Sequence, residues 1–228
     1  MPLLLHIETA TDICSIGISQ NGELLALHEA DKPYSHIEQT TILIQACAKT
    51  TDVALHQIDA VALSRGPGSY TALRVGTSVA KGLCYAFDTS LIAVDTLQAL
   101  AMASRQRTQV ENALYCPMID NRRMEVLTAV YDQTGERQSE IESKVITEDS
   151  FADYFVNDQM LVFSGNGAEK CKTVLTAPQA IFVDVRCSAR HLIPLAEAAF
   201  HANDFADMAY FEPLYVKPPN IKKKKKRL

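Results

Sequence analysis

The chain has 228 residues, 47% of them hydrophobic and 21% charged, enough to bury a core in one large domain or two small ones. No apolar run reaches the roughly 18–20 residues of a membrane span, and Met1-Pro2-Leu3-Leu4-Leu5 is broken by His6 and Glu8 with no basic flank, which argues against a secretory leader. The net charge of −5 hides an asymmetry, because setting aside the six positive charges of Lys222 to Arg227 leaves −11 on the rest.

The cysteines at 14, 47, 84, 116, 171 and 187 stand apart, with no CxxC pair. Zinc-ribbon and redox-motif chemistry therefore lose their usual spacing. Each cysteine is expected as a small apolar core residue, in a reducing, cytoplasmic setting. The basic tail has two readings, a solvated arm or a phosphate-attracting one.

In chain order, Leu3 to Ile7 predicts a buried strand ending at Glu8, and Cys14 to Ser19 a second. Asn21-Gly22 predicts a type I′ hairpin, with Glu23 to Glu29 as the return strand. From His36 to about Thr50 the period is helical, with Ile37, Thr41, Ile44 and Ala48 on one face and Ser35 with Glu38 spaced as a capping box. Ile58 to Ser64 predicts a strand, Gly66-Pro67-Gly68-Ser69 a tight loop, and Thr71 to Phe87 a helix. Leu91 to Val94 follows as a strand and Thr96 to about Arg105 as a helix.

The second half repeats this order. Tyr115 to Ile119 predicts a strand ending at Asp120, and Met124 to Tyr131 the next, turning at Thr134-Gly135. Met160 to Phe163 predicts a strand running into Ser164-Gly165-Asn166-Gly167-Ala168 and a helix, then come a strand at Ala180 to Val185 and a helix from Ser188 to about His201. Such a repeat points to two copies of one arrangement, each a mixed sheet with helices on its faces. The expected fold is a duplicated α/β structure of two mixed-sheet subdomains, residues 1–105 and 106–228, with a cleft between them. The polar stretch Gln106 to Asn112 marks the junction, and the basic tail 222–227 closes the second subdomain.

The segment from Ser64 to Gly76 carries the most chemistry. A strand that feeds a glycine loop and a helix start gathers free backbone N–H groups suited to an anion, although the same glycines also suit a plain tight turn. No Gly-Lys-Ser/Thr follows, so this is not a Walker A loop. Glu8, Gly66, Gly68, Ser69 and Asp120 form the candidate nucleotide-binding set, with the two acids facing each other across the cleft. The helix after the loop carries a small-residue stripe, Ala72, Gly76 and Ala80, and a second face with Val75 and Val79. One reading buries this helix within the subunit, and the other turns a face of it to a partner. No two histidines stand four apart (four after His36 comes Thr40), and there is no GxSxG elbow. No catalytic residue and no metal site are assigned.

Gly66 to Gly76, read as GPGSYTALRVG, closely resembles the GPGSFTGLRIG signature of the TsaB (YeaZ) family. Leu4 to Ala10 is similar to that family's LAIDTS opening, Ile119 to Val126 to its DARMGEVY segment, and Glu212 to Val216 to its C-terminal PxYLR. The resemblance implies an actin/Hsp70/sugar-kinase-like (ASKHA, ribonuclease H-like) fold. It also implies a non-catalytic subunit that pairs with TsaD in forming threonylcarbamoyladenosine on tRNA, within a larger assembly that includes the ATPase TsaE. ATP and a divalent metal are expected in TsaD and no cofactor in this subunit, which forms a homodimer when alone. Pairing through the first two helices would use Ile37, Thr41, Ile44, Ala72, Val75, Gly76, Val79, Ala80 and Leu83, and arginine at Gly76 or Ala80 would break it while leaving the fold intact. Contact with tRNA would run through the lysine tail. The alternatives are a nucleotide-dependent phosphotransferase of the ASKHA class and, with less support, a peptidase. The chain departs from the family pattern at Glu8 (usually Asp), Ala72 (usually Gly) and Asn121 (usually Ala), and the longer acid at position 8 argues against metal–nucleotide handling in this cleft.

Overall fold

The computed structural model describes residues 1–30, 32–33 and 35–217, so the basic tail lies outside the described residues. In the first half, β1 (Leu3–Glu8), β2 (Ser15–Gln20), β3 (Glu23–Glu29), β4 (Ala60–Ser64) and β5 (Ser90–Val94) form a sheet in the order β3-β2-β1-β4-β5. β1 pairs antiparallel with β2 and parallel with β4. In the second half, β6 (Leu114–Asp120), β7 (Glu125–Thr128), β8 (Glu142–Val145), β9 (Leu161–Ser164) and β10 (Ala180–Phe182) take the order β10-β9-β6-β7-β8. Read from the other edge, this is the first order again, with the same mix of antiparallel and parallel neighbours.

The central strand β1 is buried at every position, because it is covered on both faces, and this suits the consecutive apolar residues Leu3, Leu4 and Leu5. Leu3, Leu5 and Ile7 face a core shared with α1 (His36–Thr51) and α2 (Tyr70–Phe87). Leu4 faces the other way, onto Leu192 and Ala196, in a 3-10 turn (Ala189–Leu192) and α4 (Ile193–His201). Helix α3 (Thr96–Thr108) instead packs on the second sheet, where Leu97 and Ala101 meet Tyr115, Ile119 and Val162. The two halves thus exchange helices, since α3 covers the second sheet and α4 the first.

Asn21 and Gly22 both have positive φ, 53° and 76°, as a type I′ turn requires. Four local expectations are corrected. Ser35 forms no capping box, because its hydroxyl donates to the Lys32 carbonyl instead. The segment after Gly167 makes only a 3-10 turn, Glu169–Cys171, for it runs through Thr173, Val174 and Thr176 to Pro178, poor helix formers ending in a breaker. The seventh strand stops at Thr128, and Tyr131 returns only as an isolated bridge to Tyr115 and Arg137. The last strand stops at Phe182.

Beyond α4 the chain runs back over the molecule as a strap. Ala206 bonds to the edge of β5 through the Leu91 carbonyl at 2.8 Å, and the Leu214 amide donates to the Arg65 carbonyl at 2.7 Å. Tyr215 packs on Tyr70 with ring centroids 4.8 Å apart. Val216 then joins the core of the second half, and Lys217 pairs with Glu125.

Candidate functional site

A cleft of about 610 Å³ opens between the two sheets, walled by the segment after β1, the start of α2, the end of β6 and the last residues of the strap. Its shape follows from close backbone packing at the glycine loops. A Cβ on Gly68 would overlap the Ala10 carbonyl oxygen, so only glycine lets the loop reach the turn after β1, where the Ser69 amide donates to that same carbonyl at 2.8 Å. Gly66, with φ of 104°, lies beneath the Leu214 carbonyl of the strap, and its amide donates to the Thr96 hydroxyl. The second half reproduces the device. Gly165 has φ of 92° and a Cβ there would overlap the Met118 carbonyl oxygen, while the Gly167 amide donates to Met118 O at 2.9 Å.

Polar side chains join the walls across this gap. The Asn166 amide Nδ2 donates to Asp12 Oδ1 at 3.0 Å, and its Oδ1 accepts from the Asp120 backbone amide, also at 3.0 Å. Asp120 pairs with Lys170 and accepts from the Arg122 amide. Glu125 pairs with Lys217, whose ammonium, together with the Ser143 hydroxyl, holds the carboxyl below its ordinary range. Ser69 caps no amide of α2, and the α2 N-terminus with Gly68 to Thr71 faces the cleft, an arrangement that suits an anion.

Of the candidate nucleotide-binding residues, Gly68, Ser69 and Asp120 line the cleft, whereas Glu8 and Gly66 do not. Glu8 is 1% exposed. Burial pushes its carboxyl up to about 7, against hydrogen bonds from the Ala10 amide and the Ser64 hydroxyl. The acid that lines the cleft with Asp120 is Asp12, four residues further on, because Glu8 is buried and the chain reaches the cleft wall only from Ala10 to Asp12. Asp12, Asn166, Lys170 and the strap residues Tyr215 and Lys217 were missed in the sequence. The faint signals were a polar residue between two glycines at 165 and 167 and an acid just past a strand end. Among the described residues no group of three His, Cys, Asp or Glu side chains is placed to hold a metal.

The partner-binding candidates divide. Ile37 is 74% exposed and Thr41 is also outward, while Val75, Val79 and Leu83 are half-buried. Ile44, Ala72, Gly76 and Ala80 are buried in the subunit's own core, which corrects their assignment to an outer face. A Cβ on Gly76 would overlap the Thr9 hydroxyl and come within 3.1 Å of Leu63, so the small-residue stripe lets α2 lie close on β1 and β4. Arginine at Gly76 or Ala80 would therefore break the fold itself. The most exposed large apolar residues of α1 and α2 outside that candidate set are Ile42 and Tyr85, 54% and 82% exposed. His36 turns inward, its ring on the Ile13 carbonyl and burial lowering its pKa.

The family described as "TsaD: tRNA N6-adenosine threonylcarbamoyltransferase" matches residues 32–223. The tRNA threonylcarbamoyladenosine biosynthesis protein TsaB of Haemophilus influenzae is 34% identical over 123 residues, 54% of this chain and 51% of that protein. The chain spans about half the length of the curated relatives it matches. The solved structure of YeaZ from Pseudomonas aeruginosa superimposes with a TM-score of 0.78 at 25% identity, covering 94% of this chain and all of that one. The activator of the 2-hydroxyisocaproyl-CoA dehydratase from Clostridium difficile, solved with bound ADPNP, matches 89% of this chain and 96% of its own with a TM-score of 0.51 at 9% identity, a likeness of fold alone. No helix among the described residues is long and apolar enough to cross a membrane. With its duplicated actin-like fold and a family match over most of its length, the chain belongs to the family of TsaD-related proteins of tRNA threonylcarbamoyladenosine biosynthesis, as a member of its TsaB (YeaZ) branch.

Proposed function

We propose that this chain is the non-catalytic partner of the threonylcarbamoyltransferase TsaD, and that it pairs with TsaD through the outer side of α1 and α2. The observation that carries this reading is the exposure of Ile37, Ile42 and Tyr85 on two helices that pack side by side over one face of the first sheet. Large apolar side chains left exposed on adjacent helices suit a protein–protein contact. The same surface serves a homodimer when the chain is alone, and a larger assembly with the ATPase TsaE is compatible with it. The six buried, unpaired cysteines suit the cytoplasm.

The test is co-purification with the cognate TsaD, with a threonylcarbamoylation assay run with and without this chain. Ile37→Asp combined with Tyr85→Ala is expected to abolish co-purification while the melting temperature stays within a few degrees of the parent, since both positions are solvent-exposed. Undiminished pairing by the folded double variant would rule this surface out.

The cleft supports a second reading, the nucleotide-dependent phosphotransferase. Gly68, Ser69 and the α2 N-terminus favour it. The burial of Glu8 and the pairing of Asp120 with Lys170 weigh against it, since neither acid is left free to hold a magnesium ion. ATP turnover by the isolated chain would support it.

A further inference from the structure

A second depression of about 620 Å³ lies apart from the cleft, on the side of the first sheet covered by α4, opposite α1 and α2. Three guanidinium groups line it from three separate segments: Arg107 in the last turn of α3, Arg186 after β10, and Arg190 in the 3-10 turn before α4. Leu24, Val185 and Ile193 add apolar surface to its otherwise polar lining. Arg186 has only a loose pairing with Asp184, at 3.6 Å between two largely exposed side chains. Arg107 and Arg190 form no ion pair among the described residues. Glu29, at one end, is occupied in accepting from the hydroxyls of Ser15 and Ser188, both at 2.8 Å. Three arginines against Asp184 and Glu29 leave the groove at +1, in a chain whose net charge is −5. Its positive charge is all guanidinium, because burial and the neighbouring Arg190 push His191 down to about 4.

The chemistry narrows the ligand. Guanidinium is planar, weakly hydrated and matched to the paired oxygens of a phosphate. An open groove lined by guanidinium groups from three separate segments offers several contacts to an extended chain of phosphates. The apolar side chains among such charges can accept sugar faces or bases. We propose that this groove binds the phosphodiester backbone of RNA, holding tRNA on the face opposite the helices α1 and α2. The choice of RNA among polyanions rests on membership in a tRNA-modifying pathway and not on the pairing with TsaD. A partner seated on α1 and α2 would leave the groove open.

The test is fluorescence anisotropy of labelled, unmodified tRNA with the full chain at about 50 and about 200 mM salt. Because the lysine tail is itself a phosphate attractor, the titrations are run in parallel on a background in which Lys222 to Arg227 are all changed to glutamine. On both backgrounds Arg107→Glu/Arg186→Glu/Arg190→Glu is expected to weaken binding at least about tenfold and to lower the salt slope by about 2–3. Should the triple reversal fail to fold, Arg107→Gln/Arg190→Gln removes two charges without adding acids, and its slope should fall by about 2. Absence of tRNA binding by the parent, or an unchanged slope in the folded variants, overturns the proposal. So does equal competition by polyglutamate, which would mark a surface for acidic protein. Co-purification with TsaD is measured on the same variants and should be unchanged, so a failure here is separable from a failure of the pairing surface.

Discussion

Glu8 sits at the end of a central strand with almost no exposure and a carboxyl pushed up to about 7 by burial. Between its ordinary 4.5 and that value the folded state holds the proton that the unfolded state has released. Glu8 therefore lowers stability as pH rises through that window and keeps it lowered above. Two histidines, His6 buried and His191 half-buried, act in the opposite sense. Burial lowers His6 to about 3 and, aided by Arg190, His191 to about 4. The unfolded chain gains their protons first as pH falls below 6.5, and stability drops on the acid side. Glu8→Gln should remove the fall in stability that Glu8 imposes between pH 4.5 and about 7, raising stability at pH 8 by about 2–3 kcal/mol and steepening the rise that the histidines produce below 6.5, as chemical denaturation across pH will show. No gain in stability at pH 8 would mean that Glu8 ionises freely in the fold. Gly68 offers a second test, because its neighbour is the backbone carbonyl of Ala10 and cannot swing aside. Gly68→Ala should cost about 2–4 kcal/mol in urea titration.

At the level of elements, two helix starts that both carry a capping-type residue, Ser35 and Asp95, behave differently. Asp95 caps α3 by accepting from the Gln98 amide at 3.0 Å, and it also accepts from the Tyr131 hydroxyl across the junction and lies 3.6 Å from Arg65. Asp95→Ala should cost about 2 kcal/mol, a cap together with a stranded hydroxyl, whereas Ser35→Ala should stay within about 0.5 kcal/mol because Ser35 caps no amide of α1. Comparing the two melting curves checks the pair. Strands were legible because their signals are local: the run Leu3 to Ile7 needs cover on both sides, and Asn21-Gly22 needs positive φ. The order of the repeat was legible too, and both sheets follow it. The facing of helices was not. In α1 the buried set is His36, Thr40, Leu43, Ile44 and Cys47, and polar residues inside with Ile37 and Ile42 outside blur the apolar stripe. In α2 small residues serve close packing within a subunit and between subunits equally well, and only the distance from Gly76 to Thr9 and Leu63 decides between them. The cleft's glycines could be read, but Asp12 and Asn166 could not, since their meeting joins positions 154 residues apart.

For the molecule as a whole, the strap and the exchanged helices tie the halves together at several independent points. Leu214 bonds to Arg65 in the first half, Val216 packs into the second, and Asn166 reaches Asp12 across the cleft. Any opening of the cleft must therefore strain the strap at Tyr215, whose ring rests on Tyr70. Tyr215→Ala should raise amide hydrogen exchange in residues 119–127 and in the first turn of α2 without altering exchange in the buried strands β1 and β4. Unchanged exchange at the cleft would show that the remaining links suffice.

The exchange of helices also bears on how this protein is made. When the ribosome has delivered the first sheet complete, the face that α4 will cover still lacks its lid, because Leu192 and Ala196 are encoded roughly a hundred residues downstream of β5. The nascent first half must wait with that apolar surface bare, as must a gene fragment ending in the stretch 106–112. Each half expressed alone should aggregate, and the two expressed together should recover a folded complex, the first half gaining its missing layer in trans.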